Sequence, residues 1–370
     1  MTSKERLLTA TWNREPDRVP VAPDTSNMIP CRLTGKPFWE IYLYRNPPLW
    51  KAYIDCCKYF GFDGWLPALD GFYPSEPDDH TKIVVRNRDR IITRSFREEH
   101  GKKVWSERVD VYYRADPPTY GVEARKIGLP DEHDEYWDIE GVKEWPHGAE
   151  LLQLARQEMG DAGIVGLAVG LPSLGKEPES IYEYFDHPDR VRERAAQQEE
   201  AIVAQAQQIL ALRPDFLLIG VSGYLTLQSP AIARELGLST LQRVTALAKE
   251  AGIPTHLHCC GKERALVETC AYETDLNLIN PLEPPPMGDC DLAEIKRTFG
   301  HRLALMGNLH TTAVMLHGTV EQVKAAARWC IEAAAEGGGF ILSTGDQCGR
   351  DTPDENIRAL IEVAEEYGRY

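Results

Sequence analysis

Short apolar runs that end in polar or glycine-rich residues alternate along this chain with segments of helical periodicity. Such alternation predicts parallel strands joined by right-handed crossovers. Both ends of the chain contribute to the eight runs, which cover residues 18–23, 61–69, 163–170, 215–221, 254–260, 276–282, 303–309 and 339–345. The pattern predicts an α/β fold, a (β/α)8 TIM barrel. A doubly wound sheet is the alternative, but no Gly-x-Gly-x-x-Gly turn follows any run.

The segments between the later runs show helical periodicity, and some of them begin with residues that are typical of a helix start. Residues 229–236 and 240–251 predict two helices, the second capped at Ser239-Thr240. Residues 319–336 place apolar side chains on one stripe. Residues 353–367 follow Asp-Thr-Pro-Asp-Glu, a cap with an N-terminal proline and acidic residues, which is typical of a helix start.

One region departs from this alternation. Between about residues 71 and 150, β-branched runs begin at Ile83, Ile91 and Val109 and are separated by charged turns. This pattern predicts an antiparallel β insertion after the second strand, followed by proline-rich and acidic loops. We expect the insertion to belong to a single domain that spans residues 1–370.

Composition narrows the classes of function. The 41 basic and 57 acidic residues give a net charge of −16, which makes nucleic acid or an anionic membrane surface a poor partner. No apolar stretch approaches the roughly 20 residues needed to cross a bilayer, and the N-terminus lacks the apolar segment of a signal peptide. The nine cysteines show no disulfide spacing. We therefore expect a cytoplasmic protein with free thiols.

In a barrel enzyme the active site lies at the carboxyl ends of the strands. Polar and metal-capable side chains dominate these positions here. They are Asp24, Asp70, Tyr224, His256, His258, Cys259, Cys260, Glu283, Asn308, His310, Asp346 and Cys348.

The sharpest local feature is a His-x-Cys pair, His258 and Cys260, at the end of the fifth run. Residues two apart in a strand share a face, so an imidazole and a thiolate could bind one zinc ion. Cys348, just beyond the eighth run, is the natural third ligand, and Asp346 is a second candidate. Core packing, or a histidine that only forms hydrogen bonds, is the competing interpretation of the pair.

Three further side chains are candidates for acid-base or substrate contacts. Glu283 lies in the proline-rich stretch after the sixth run, where capping or an ion pair is an equal alternative. His310 follows the seventh run, and Tyr224 follows the fourth. The sequence contains neither a Ser-His-Asp triad signature nor a phosphate-binding P-loop.

Several segments, taken in order, resemble the uroporphyrinogen decarboxylase superfamily over nearly the whole chain. The opening resembles that family in Lys4-Glu-Arg-Leu-Leu-Thr-Ala and in Glu15-Pro-Asp-Arg-Val-Pro. The later half resembles it in His258-Cys-Cys-Gly, Asn280-Pro-Leu-Glu-Pro-Pro-Pro, Met306-Gly-Asn, Gly318-Thr and Thr352-Pro-Asp-Glu-Asn. The resemblance implies a (β/α)8 barrel and favours a homodimer.

The superfamily has two main branches. True decarboxylases bind the acetate groups of a porphyrinogen through an N-terminal Arg-Gln-Ala-Gly-Arg segment, whereas this chain has Asp24-Thr-Ser-Asn-Met-Ile-Pro-Cys-Arg-Leu after the first run. Without those cations a highly anionic substrate would be poorly neutralised. The other branch contains zinc-dependent, corrinoid-linked methyltransferases that carry His-x-Cys after the fifth strand, which His258 and Cys260 match.

The third zinc ligand departs from that branch. Those methyltransferases have Gly-Cys seven residues before the proline of Thr-Pro, and here that position is Asp346, two residues before Cys348. The resemblance implies zinc bound by His258, Cys260 and either of these two residues. It also implies transfer of a methyl group between a small thiol, methoxy or methyl-X substrate and a corrinoid. Because the chain lacks an Asp-x-His-x-x-Gly motif, we expect a separate corrinoid protein as partner.

In this scheme Glu283 and His310 would orient ligands or move protons. Two other hypotheses remain. One is a metal-free decarboxylase or lyase of the uroporphyrinogen decarboxylase type that uses Asp24, Tyr224 and His310. The other is a non-catalytic barrel that binds a corrinoid or tetrapyrrole.

Overall fold

A computed structural model describes residues 1–74, 80–175 and 177–370. The chain forms two compact units. The first unit comprises Met1–Asp24, Cys57–Ala68 and Arg156–Tyr370, and the second comprises Thr25–Cys56 and Leu69–Ala155. The expectation of one domain with an insertion at about 71–150 stays a prediction.

The secondary structure alternates in the first unit and is mainly antiparallel in the second. In chain order the strands are β1 (Gly64–Leu66), β2 (Thr81–Arg86), β3 (Arg90–Glu99), β4 (Lys102–Trp105), β5 (Arg108–Tyr113), β6 (Thr119–Glu123), β7 (Gly163–Val169), β8 (Phe216–Gly220), β9 (Thr255–His258), β10 (Leu278–Asn280), β11 (Ala304–His310) and β12 (Phe340–Gly345). The α-helices are α1 (Ser3–Thr11), α2 (Met28–Leu33), α3 (Phe38–Tyr42), α4 (Leu49–Phe60), α5 (Gly148–Met159), α6 (Pro178–Asp186), α7 (Pro188–Ala211), α8 (Tyr224–Leu227), α9 (Pro230–Ala251), α10 (Arg264–Glu273), α11 (Leu292–Phe299), α12 (Val320–Ala334) and α13 (Asp354–Tyr367).

The first unit contains a parallel sheet of seven strands in the order β1-β7-β8-β9-β10-β11-β12. This order follows the chain, as expected when each strand is followed by a crossover to its neighbour. The strands are almost fully buried, which explains why they read as continuous apolar runs rather than as alternating ones. The α/β class and the parallel sheet predicted from the sequence are confirmed.

The first of the eight apolar runs forms no extended strand. It makes two isolated bridges: Arg18 pairs antiparallel with Arg369, and Val21 pairs in parallel with Leu342 of β12. On its other side, the carbonyl of Val21 accepts a hydrogen bond from the N–H of Asp63, directly before β1, at 2.8 Å. The expectation of a regular strand at 18–23 was therefore wrong. Proline at positions 20 and 23 removes two backbone donors that a continuous ladder would use.

Asp63 fixes this segment with its side chain. Its carboxylate is fully buried and accepts from Arg6 Nη1 at 2.7 Å, from Arg18 Nη1 at 3.4 Å and from the Val21 N–H at 2.8 Å. Helix α1, which carries Arg6, is thereby tied to the segment around Val21 and to the start of β1. A buried carboxylate requires such partners, because an unpaired charge would carry a large desolvation penalty.

The interior of the parallel sheet is aromatic at its centre. The rings of Trp65 and Phe216 stack at a centroid distance of 5.9 Å, and the ring of His256 lies 4.7 Å from Trp65. Burial lowers the pKa of His256 to about 3, so its imidazole is neutral at physiological pH. His256 is therefore a core side chain.

The helix starts predicted near the C-terminus agree with the structure. Thr319 caps α12 and forms a capping box with Gln322, and Pro353 occupies the N-cap position of α13. The two helices predicted at 229–236 and 240–251 are instead one helix, α9, capped by Ser229. Ser239 lies inside it and donates its hydroxyl to Glu199 at 2.9 Å, so the hydroxyl does not cap a second helix.

The second unit contains an antiparallel sheet in the order β2-β3-β5-β6, with β4 paired to β3. The runs predicted from Ile83, Ile91 and Val109 lie in β2, β3 and β5, so the predicted antiparallel sheet is confirmed. One buried layer of this unit is built around Ile92, Trp105 and Val111. In the described parts of the chain, no helix has the length and apolar character that crossing a bilayer requires.

We predict that Arg6→Met lowers the free energy of unfolding by about 3 kcal/mol, because it leaves the buried Asp63 carboxylate with only its weaker ion-pair partner, Arg18. The measurement is urea denaturation followed by circular dichroism. Glu362→Gln is the matched control, since Glu362 pairs with Lys324 while more than half exposed. That pair should contribute about 0.5 kcal/mol or less. Equal effects of the two changes would contradict a structural role for Asp63.

Candidate active site

The carboxyl end of β9 positions the His-x-Cys pair. His258 is paired with Gly220 of β8 and with Asn280 of β10, so its backbone is fixed from both sides. Beyond the strand, the carbonyl of Cys260 accepts from the Gly223 N–H at 3.2 Å. The two side chains are only partly buried, which leaves both groups accessible.

Asp346 reaches the same place from β12. Strands β9 and β12 are separated by two strands, so a flat sheet would hold them about 14 Å apart at the usual spacing. His258 Nε2 lies only 3.7 Å from Asp346 Oδ1. The sheet must therefore curl strongly, with both side chains on its concave side.

The backbone of Asp346 has an unusual conformation. Its φ of 84° lies in the region that favours glycine, and aspartate and asparagine are among the residues that tolerate it best. The Thr344 hydroxyl donates to the Asp346 carbonyl at 2.8 Å and so stabilises this turn. Such a conformation costs about 1–3 kcal/mol and persists where surrounding structure enforces it. Here it directs the carboxylate toward His258.

His258, Cys260 and Asp346 form a group of potential metal ligands. One nitrogen, sulfur or oxygen atom from each lies within 4.8 Å of the other two. Among the described residues this is the one group of three or more histidine, cysteine or acidic side chains with such geometry. Imidazole, thiolate and carboxylate are the donors that zinc takes in proteins, and three of them leave a fourth position open.

The electrostatics of the group favour a cation. Burial raises the pKa of the Cys260 thiol, and the Asp346 carboxylate raises it further. Burial likewise raises the pKa of Glu283, again with a contribution from Asp346. Negative charge is therefore crowded here, and a divalent cation would relieve this crowding.

Cys348, the other predicted third ligand, is not a member of this group. Its side chain is fully buried, and its backbone N–H donates to the Asp24 carbonyl at 2.8 Å. Burial raises the pKa of the Cys348 thiol to about 12, with a further contribution from Asp24. The Asp24 N–H donates in turn to the Thr344 hydroxyl at 3.0 Å. Asp24 and Cys348 thus tie the loop after β12 to the segment after Val21.

Glu283 contacts the loop that carries Cys260. Its carboxylate Oε2 accepts the backbone N–H of Gly261, the residue next to Cys260. Only 6% of Glu283 is exposed. The structure therefore brings Glu283 beside the three potential ligands, where it fixes the backbone of one of them.

Glu263 is a buried acid that sequence reasoning missed. It is fully buried, and its Oε2 accepts from the Leu282 N–H at 2.8 Å, while its own N–H donates to Asp289 at 2.8 Å. Burial raises its pKa well above the ordinary value, which favours the neutral acid. It joins the loop after β9 to the loop after β10. The signal in the sequence was an acidic residue placed directly before the apolar stripe of α10.

Two further candidates, His310 and Tyr224, are held by local hydrogen bonds. His310 ends β11, and its Nδ1 accepts from the N–H groups of Thr312 and Ala313 at 3.2 Å each, which leaves the proton on Nε2. Tyr224 is buried, and its hydroxyl donates to the Pro172 carbonyl at 2.9 Å. The structure does not bring Tyr224 into the metal-ligand group.

Gly261 lies at the centre of this arrangement, with a φ of 87°. A Cβ at this position would overlap with the hydroxyl of Thr226, which accepts the Lys262 N–H at 3.0 Å. We predict that Gly261→Ala lowers the free energy of unfolding by about 2–3 kcal/mol, the sum of backbone strain and this clash.

Gly252→Ala is the matched control for this change. Gly252 has a φ of 67°, but a Cβ there would meet nothing within 4 Å. It should therefore show only the backbone contribution, about 1 kcal/mol. Chemical denaturation of both variants measures the difference. If the two substitutions cost the same, the contact with Thr226 does not constrain the loop.

Comparison with known proteins shows which proteins this chain is similar to. The profile of the family described as uroporphyrinogen decarboxylase (URO-D) matches residues 179–367, about half of the chain. The methylcobamide:CoM methyltransferase MtaA of Methanosarcina barkeri is 28% identical over 228 residues, which cover 60% of this chain. The match spans 64% of the length of that relative, less than two thirds.

Two solved structures are similar over most of their length. A methyltransferase from Methanosarcina mazei aligns over 99% of both chains with a TM-score of 0.64 and 18% identity. A B12-independent methionine synthase from Shewanella sp. W3-18-1 aligns over 94% of this chain and 97% of its own, with a TM-score of 0.51 and 11% identity. At these identities the likeness concerns the fold.

Proposed function

This chain belongs to the uroporphyrinogen decarboxylase family, and we propose that it is a zinc-dependent methyltransferase. In this proposal a methyl group passes between a small thiol, methoxy or methyl-X substrate and a corrinoid bound to a separate protein. The observation that carries it is the convergence of His258, Cys260 and Asp346 within 4.8 Å. The name of the relative MtaA identifies a methylcobamide and CoM as its reactants. We propose the same type of transfer for this chain.

The architecture proposed for this enzyme is a closed (β/α)8 barrel. The segment around Val21 would serve as the eighth strand, because it pairs with Leu342 of β12 on one side and with Asp63 on the other. In such a barrel the carboxyl ends of all strands open on one face. The corrinoid protein and the small substrate would both approach from that face.

The donor set fits zinc. His258 offers Nε2, Cys260 offers Sγ and Asp346 offers a carboxylate oxygen. We propose these three as the zinc ligands, with Asp346 rather than Cys348 as the third. When bound, zinc would supply Lewis acidity that lowers the pKa of a substrate thiol or polarises its bond to methyl.

The chain's own residues prepare this chemistry. Glu283 fixes the backbone at Gly261 and so sets the position of the Cys260 thiol. Glu263 ties the neighbouring loop through the Leu282 N–H and thus supports the backbone that carries Glu283. His310 would present its Nε2–H toward the carboxyl edge of the sheet as a proton donor or substrate contact. These groups position ligands and substrate before any methyl transfer.

The first test is metal content. We predict about one zinc ion per wild-type chain after purification without chelators, lost in Cys260→Ala and in Asp346→Ala. Cys348→Ala is the matched control and should keep its zinc, because its buried thiol lies outside the ligand group. Plasma emission spectrometry measures the stoichiometry, and circular dichroism checks that each variant folds.

Each result decides a different part of the proposal. Zinc retained in Asp346→Ala and lost in Cys348→Ala would assign the third ligand to Cys348. Wild-type protein without zinc, even after reconstitution with zinc chloride, would contradict the zinc-dependent enzyme and favour the metal-free lyase.

The second test is methyl transfer between methylcobalamin and small thiols, followed by the absorbance change of the corrinoid. Changes to side chains behind metal ligands commonly cost about 10–100-fold in activity, so His258→Ala should cost at least about 100-fold. Cys260→Ala should cost as much as His258→Ala, whereas its control, Cys270→Ala on α10, should retain wild-type activity. Full activity in His258→Ala would rule out the proposed role of this residue.

A further inference from the structure

The second unit contains a polar pocket of about 480 Å³ that shares no residue with the metal-ligand group. It is formed by residues of β3, β4, β5 and the segment after β6. Arg94 and Trp105 form its buried part, and the exposed acids Glu107 and Glu132 lie on its rim.

Arg94 is the unusual member of this pocket. It is only 4% exposed, yet no carboxylate among the described residues forms an ion pair with it. Its Nε donates to the Ser106 carbonyl at 2.6 Å, and its Nη1 donates to the Pro130 carbonyl at 2.7 Å and lies 2.8 Å from His133 Nε2. Buried guanidinium groups are normally neutralised by an anion, because carbonyl dipoles alone compensate poorly for lost hydration.

One amino group of the Arg94 guanidinium, Nη2, is available to bind a ligand. Within the ranges that the structure describes, Nη2 has no hydrogen-bond partner, while Nε and Nη1 are both occupied. Since Arg94 lines the pocket, Nη2 is the group that it presents there. Burial also lowers the pKa of Arg94, and among the described residues Asp131 opposes this shift.

Other cations and rings complete the pocket. Lys103 lines the same wall, with its Nζ 4.3 Å from the centre of the Phe96 ring, and Arg108 lies on a neighbouring strand. The indole of Trp105 packs against His133 at a centroid distance of 5.0 Å and forms a rigid floor. Of the acids on the rim, Asp131 lies 3.5 Å from Arg125, so part of the rim charge is already balanced.

We propose that this pocket binds a small anion, a molecule with a carboxylate or phosphate group that accepts hydrogen bonds from Arg94 Nη2. The anion supplies the counter-charge that the described residues do not provide. Charge-assisted hydrogen bonds to a desolvated guanidinium are among the strongest that proteins form, so a single buried arginine can dominate such a site. The site is independent of the methyl-transfer reaction proposed above.

The test uses the full chain and the indole N–H signal of Trp105 in a ¹⁵N correlation spectrum, assigned by its loss in Trp105→Phe. Sodium phosphate and sodium acetate are titrated separately at constant ionic strength, with sodium chloride as the reference salt. A saturable shift with phosphate alone indicates a phosphate ligand, a shift with acetate alone indicates a carboxylate, and a shift with both supports the shared chemistry. No saturable shift with either probe overturns the proposal.

Substitutions test whether anion binding depends on the guanidinium of Arg94 or only on positive charge. Arg94→Lys keeps the charge but loses the planar donor geometry, so we expect about tenfold weaker binding. Arg97→Lys is the matched control, since Arg97 is an exposed residue of β3 that pairs with Glu99 and does not line the pocket, and it should bind as the wild type does. Undiminished binding in Arg94→Lys overturns the assignment.

Glu132→Gln keeps the test decisive even if changes at Arg94 disturb folding. Glu132 lines the pocket but makes none of the hydrogen bonds that hold Arg94. Removing its negative charge should strengthen anion binding about twofold. Weaker binding in this variant contradicts an anion site.

Discussion

The buried carboxylate of Asp63 joins the two edges of the parallel sheet. Through its side chain and its backbone it holds α1, the segment around Val21 and the start of β1, while Val21 pairs with β12 on the other side. The contacts through Val21 connect the edge strands β1 and β12 and so keep the sheet curled. The position of β12 relative to β9 depends on them, because without them the sheet would flatten. Asp346 reaches His258 only on a curled sheet. The carboxylate of Asp63, which is distant in sequence from His258 and Asp346, thus controls the geometry of the candidate site.

Much of the fold could be predicted because its signals are local. Apolar runs and helix caps such as Thr319 depend on neighbouring residues, and they predicted β7 to β12 and α12 well. The continuity of α9 was missed because the Ser239 hydroxyl donates to Glu199, which lies forty residues earlier in the chain. The first apolar run was predicted as a strand because it is clearly hydrophobic. The effect of its two prolines was not predictable, because it depends on whether a neighbouring strand requires the backbone N–H that each proline lacks.

The candidate site was predictable in its residue types and less so in its geometry. The His-x-Cys spacing at the end of β9 gave His258 and Cys260 directly, since residues two apart in a strand share a face. The sequence left Asp346 and Cys348 both open as third ligand; the structure brings Asp346 close to His258, through a turn after β12 in which Asp346 has a left-handed backbone conformation. Glu263 was missed for a related reason. Its function as a backbone anchor depends on Leu282, which belongs to another loop.

The backbone at Asp346 also limits how this position can vary. With a φ of 84°, it accepts glycine, asparagine or aspartate readily and disfavours larger or β-branched residues. Substitutions tolerated at position 346 would therefore change the charge and keep the backbone conformation. Asparagine would replace the carboxylate by an amide, and glycine would remove the side chain. A thiol would have to arise together with a change in the loop itself. The chemistry of the proposed third ligand therefore depends on the conformation of this turn.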